Sequence, residues 1–132
     1  MEKSSTNLRP PRTKHNNRSL ARWGEATAAE YLTTKGYQIL AKNVWFPVGE
    51  LDLIARNPRG EIIFVEVKTR TSTDFGATEA VTHFKLHKLR KAAYRWLQDQ
   101  PYATVRFDVI SIVATQKDTT LTWHKGVDDG AC

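Results

Sequence analysis

The sequence predicts an α/β domain, a mixed β-sheet flanked by helices in the order α-β-β-β-α-β. Three observations carry this: a helix-period stretch that stops at a glycine, three strand-like segments joined by tight turns, and an amphipathic helix followed by a long apolar strand. At 132 residues the chain suits one domain with one core, so any site must lie on that core.

Residues 1–18 (MEKSSTNLRPPRTKHNNR) combine Pro, Asn, Ser and basic residues with almost nothing to bury, and read as a flexible basic arm. The folded domain is expected over 19–126, with a frayed end at 127–132. Ser19 is a candidate N-cap for a helix over 19–35, which Gly36 is placed to terminate. Residues 37–44 read as a first strand. Pro47, Val48 and Gly49 make a turn into a second strand over 50–56. The tight connection 57–60 leads to a third strand over 61–68, rich in β-branched residues, so the second and third strands form an antiparallel hairpin. A polar, Gly-containing stretch over 69–81 reads as a loop, and 82–99 as the second helix. Residues 105–114 form the fourth strand, and the intervening helix permits parallel pairing with the third. Residues 117–126 can add a short edge strand.

Apolar residues make up 40% and charged residues 26% of the chain, a globular composition, and no apolar run approaches a membrane span. No membrane partner is expected. The basic start is followed by no signal-peptide core. Cys132 is the sole cysteine, which excludes an intramolecular disulfide and a four-cysteine zinc site, so a cytoplasmic location is expected. The net charge of +6 is concentrated at the start, where Lys3, Arg9, Arg12, Lys14, Arg18 and Arg22 face only Glu2. A basic arm on a near-neutral body suits attraction to polyanions.

Strand side chains alternate, so Glu50, Asp52 and Ile54 share one side of the second strand, and Ile62, Phe64, Glu66 and Lys68 share one side of the third. If the hairpin aligns these sides, two carboxylates and an ammonium converge beside Ile54 and Phe64. Charges beside a core must be paired or coordinated to offset desolvation. Two carboxylates, a backbone carbonyl and waters would make a hard oxygen site for Mg²⁺ or Mn²⁺. Lys68 could there orient or help deprotonate an attacking water, or stabilise charge developing on a phosphorane. The alternative is an ordinary ladder of exposed charges at a strand end. On the first helix Ala21, Ala28, Ala29 and Leu32 form an apolar arc with Glu25 at its centre, aimed at the sheet as a site carboxylate or as a buried ion-pair partner of Lys68. Glu30 lies on another face and is expected in solvent.

On the second helix Leu86, Leu89, Ala93, Trp96 and Leu97 form an apolar stripe. Lys88, Lys91 and Arg95 recur on the outer side, where they could track phosphates or be merely solvated. His83 and His87 are four apart, but no nearby motif supplies the remaining zinc ligands. Trp23, Trp45, Trp96 and Trp123 are expected in the core or at its rim, not as base-stacking platforms.

Glu25, Asp52 and Glu66-Val67-Lys68, in this order, resemble the PD-(D/E)xK nuclease superfamily. The closer wording is Trp23-Gly24-Glu25, Gly49-Glu50-Leu51-Asp52-Leu53-Ile54, Phe64-Val65-Glu66-Val67-Lys68-Thr69-Arg70 and Arg106-Phe107-Asp108-Val109. Over residues 20–113 it resembles the YraN-like family of small bacterial proteins, and archaeal-type Holliday-junction resolvases are similar at the same positions. The resemblance implies a restriction endonuclease-like three-layer fold. It also implies a metal-dependent, structure-specific endonuclease acting on DNA phosphodiester bonds. Asp52, Glu66 and the Val67 carbonyl would hold Mg²⁺ (or Mn²⁺), Glu25 would complete the site and Lys68 would be catalytic. The signature proline is replaced by Leu51, which costs no ligand. Glu50 is an auxiliary ligand or a partner of Arg70, and Arg70, Lys88, Lys91 and Arg95 are the candidate nucleic-acid contacts. The rival readings are a nucleic-acid-binding protein with this fold and little turnover, and a structural scaffold; a homodimer stays open.

Overall fold

The computed structural model describes residues 2–6, 17–71 and 83–127. In chain order the elements are β1 (Glu2–Thr6), α1 (Asn17–Thr34), β2 (Gln38–Phe46), β3 (Gly49–Arg56), β4 (Ile62–Thr71), α2 (His83–Leu97), β5 (Val105–Ala114) and β6 (Thr119–His124). Short connections dictate most of the pairing. Pro47 and Val48 fold β3 back on β2. Asn57 builds the next turn, its Oδ1 accepting from the amides of Arg59 (3.1 Å) and Glu61 (2.9 Å). α2 carries the chain back across the sheet, so β5 pairs parallel to β4, while every other neighbouring pair is antiparallel. The sheet has six strands in the order β1-β6-β5-β4-β3-β2.

Alternation along β4 gives the sheet two apolar faces. Ile63 and Val65 face α1, where Ala28, Ala29 and Leu32 pack with Leu53, Ile110, Ile112 and Trp123. Ile62 and Phe64 face α2, where Leu89, Ala92 and Ala93 pack with Ile54 and Phe107. Helix, sheet and helix form three layers, the restriction endonuclease-like core that the element order predicts. No helix among the described residues is long and apolar enough to cross a membrane.

Several boundaries differ from expectation. Glu2–Thr6, expected within the flexible arm, pairs with β6 in register from Glu2↔Trp123 to Thr6↔Thr119. An added strand satisfies amides and carbonyls that the β6 edge would otherwise present unpaired. The rest of the predicted arm to residue 16, most of the predicted 69–81 loop, and 128–132 lie outside the described residues. Thr69, Arg70 and Thr71 continue β4 because β5 offers parallel partners as far as Thr71↔Ala114. Val127, expected to be frayed, is held by its amide on the Phe107 carbonyl at 2.8 Å. Ala21 is exposed, so the apolar arc of α1 begins later than predicted.

Candidate metal centre

The candidate centre forms where β3 loses its partners on both sides. On the β2 side the ladder runs Ala41↔Ile54, Lys42↔Leu53 and Val44↔Leu51, and the skipped position opposite Asp52 is Asn43. Asn43 is left-handed at φ 52°, a conformation that asparagine tolerates better than most residues. On the β4 side the pairing stops at Leu53↔Val65, one step before Asp52 would meet Glu66. Asp52 turns into this gap, and its Oδ2 accepts from the Val67 amide at 2.9 Å. The break also corrects the expected alternation. Leu51 packs with Ile54 on the α2 side while Leu53 packs on the α1 side, so Glu50, Asp52 and Ile54 do not share one face.

Carboxylates reach the gap from both faces of the sheet. Glu25 comes from α1, only 9% exposed. Its approach depends on Gly24, where a Cβ would collide with the Thr69 hydroxyl of β4. One oxygen each from Glu25, Glu50 and Asp52 lie within 4.8 Å of one another. Glu50 therefore sits with the other carboxylates. From the α2 side comes Glu66, 7% exposed, with Lys85 Nζ at 2.5 Å and Lys68 Nζ at 3.9 Å. The predicted residues Glu25, Asp52, Glu66 and Lys68 are thus brought together, and Glu30 is exposed as expected.

The electrostatics follow from this crowding. Burial first, then the Glu66 carboxylate, push the Asp52 carboxyl up to about 8, against the opposing pull of the Val67 amide. Glu25 is also raised, mainly by burial and further by Glu50, while a hydrogen bond from Asn43 pulls it down. Burial opposes the charge on Lys85, but its hydrogen bonds, above all to Glu66, outweigh this and hold the ammonium above its ordinary range. Such a donor set, rich in crowded carboxylate oxygens, fits a hard divalent cation, which would relieve the repulsion that a proton now relieves.

Sequence reasoning missed two members. Asn43 lies inside a predicted strand, and only asparagine's tolerance of left-handed backbone signals it. Lys85 precedes Leu89 by one helical turn, which puts it on the sheet-facing side of α2. The predicted nucleic-acid contacts Lys88, Lys91 and Arg95 are exposed on α2, and Arg70 is half-buried on β4. Arg95 also lies over the Phe46 ring, 5.7 Å from its centroid. His87 is exposed, and the side chain of His83 lies outside the described part. Trp123 is buried and Trp23 and Trp96 pack against the cores, as expected. Trp45 departs from expectation at 70% exposure.

The profile described as "Uncharacterised protein family UPF0102" matches residues 24–112, a span that contains the whole centre from Glu25 to Lys85. A UPF0102 protein of Corynebacterium diphtheriae is 46% identical over 121 residues, covering 91% of this chain and 99% of the relative. One from Syntrophomonas wolfei is 49% identical over 100 residues, covering 74% and 86%. Another from Bifidobacterium longum is 45% identical over 95 residues, covering 68% and 77%.

Proposed function

Since this chain belongs to the UPF0102 family, we propose that its members' shared region here works as a metal-dependent endonuclease of the PD-(D/E)xK type, hydrolysing phosphodiester bonds in DNA. One observation carries the reading. A half-buried aspartate is pushed up to about 8 by desolvation and a neighbouring glutamate, with two further carboxylates within 4.8 Å. A scaffold gains nothing from this crowding, which raises the free energy of the folded chain unless a cation is held there.

In this reading Asp52, Glu66, the Val67 carbonyl and Glu25 hold Mg²⁺ or Mn²⁺, with Glu50 as an auxiliary ligand. When bound, the ion supplies charge compensation and Lewis-acid polarisation at the scissile phosphate. Lys68 donates to a phosphate oxygen or orients the attacking water. Lys85 fixes the Glu66 carboxylate through its ion pair. Arg70, Lys88, Lys91 and Arg95 draw in the backbone without reading bases, so selection rests on substrate structure.

The test is cleavage of linear, flapped, gapped and four-way-junction DNA with Mg²⁺ or Mn²⁺, beside Asp52→Ala. Cleavage of at least one substrate by the wild type and none by the variant is expected. Lys68→Ala should lose cleavage by about 100-fold or more while keeping most DNA binding. No cleavage of any substrate would favour the second reading, a DNA-binding protein without turnover. The 2.5 Å Lys85–Glu66 pair lends that reading support, since it already neutralises one proposed ligand.

A further inference from the structure

Trp45 lies next to Phe46, whose ring joins the apolar cluster under α2, yet its own indole is 70% exposed. β2 is an outer strand of the sheet. The register partner of Trp45 is Glu50. Residues directly opposite in an antiparallel pair project on the same face, with Cβ atoms about 4.5–5.5 Å apart. Glu50 in turn lies within the carboxylate cluster with Glu25 and Asp52. A broad aromatic surface therefore stands at the lip of the acidic centre.

The helix that brings Glu25 to this centre also carries charges complementary to a polyanion, and Arg22 acts on the Glu25 carboxylate. Arg18 and Arg22 are both exposed on α1, one helical turn apart, and lead along the helix toward Glu25 three residues later. Resting on the nuclease reading above, we infer that Trp45 stacks an unpaired base of the DNA strand beside the scissile phosphate, while Arg18 and Arg22 take neighbouring phosphates. Inside a continuous duplex both faces of each base are covered by its neighbours. Only an unpaired nucleotide offers a free π-face to the indole. The substrate class is accordingly DNA with unpaired nucleotides at the cleavage point: a flap, a gap or the branch of a junction.

The test measures binding by fluorescence anisotropy, on the full chain and without divalent metal. The probes are a labelled oligothymidylate and a strand of equal length with abasic positions. The wild type should prefer the thymidylate by about tenfold or more. Trp45→Ala should erase that preference, Trp45→Phe should keep most of it, and Arg18→Gln with Arg22→Gln should weaken both strands alike. The proposal fails if the wild type binds the two strands equally, or if Trp45→Ala leaves the preference intact. It fails too if sedimentation shows the indole joining two copies of the chain through β2, with Trp45→Ala releasing monomers. Cleavage separates the two readings. A chain that prefers bases and cuts nothing overturns only the nuclease reading, and one that cuts but binds both strands equally overturns only this one.

Discussion

Two aspartates at depth in the sheet are treated in opposite ways. Asp108, on β5, is 1% exposed and fully satisfied. Its Oδ1 accepts from Arg106 Nε (2.8 Å) and the Gly126 amide (3.0 Å), and its Oδ2 from Arg106 Nη2 (2.8 Å) and Trp123 Nε1 (2.8 Å). The two from Arg106 hold its guanidinium above its already high range. Asp52, on β3, accepts one backbone amide and is crowded by the Glu66, Glu25 and Glu50 carboxylates, with the Lys85 ammonium acting on it from the α2 side. A carboxylate enclosed by donors ties Trp123 and Gly126 to the core, whereas one crowded by carboxylates is suited to receive a cation. The difference teaches that the partners around an aspartate, donors at Asp108 and carboxylates at Asp52, mark which one serves the structure and which one suits a cation.

The largest effect should come from breaking the satisfied site. Asp108→Ala takes the carboxylate from Arg106, which keeps the Tyr37 hydroxyl, and leaves the Trp123 indole without its acceptor; it should cost about 3–5 kcal/mol in chemical denaturation. A loss below about 1 kcal/mol would mean the two aspartates are not so different.

At the other site the sign should reverse. Asp52→Asn removes a carboxyl held at about 8 in the folded chain against its ordinary value of 3.8. Between those values the folded chain binds more protons than the unfolded one, so this group's contribution to stability falls as pH rises from about 4 to about 8. The variant should be more stable than the metal-free wild type by about 1–2 kcal/mol at pH 8, and the gain should vanish near pH 4. Denaturation series at the two pH values check it, and a gain that does not grow with pH would contradict the assignment.

The smallest effect concerns Asn43. Asn43→Gly keeps the left-handed backbone but removes the hydrogen bond that pulls Glu25 down, so the Glu25 carboxyl should titrate higher by carbon-detected NMR. Stability should change by less than about 1 kcal/mol. An unshifted Glu25 would show that Asn43 shapes only the strand.

These residues also mark how far the sequence could be read. Periodicity and turn chemistry predict the layers because α1, β4 and β5 obey them, and residues 105–114 form the strand expected of them. Glu25, Asp52, Glu66 and Lys68 are legible through spacing. What alternation could not supply is the interruption at Asp52, since strict alternation assumes an unbroken ladder, and both neighbouring strands let go there. Lys85 was hidden because its role depends on how α2 lies across the sheet. The strand formed by Glu2–Thr6 was hidden because it exists only through pairing with β6, far away in the sequence.

We propose that the Asp52 gap holds a divalent cation. Calorimetric titration of Mn²⁺ into the wild type and into an Asp52→Asn, Glu66→Gln double variant tests it most directly, with circular dichroism to confirm that both are folded. A saturable binding signal in the wild type that disappears in the double variant is the predicted result; the same signal in both, or none in either, would contradict it.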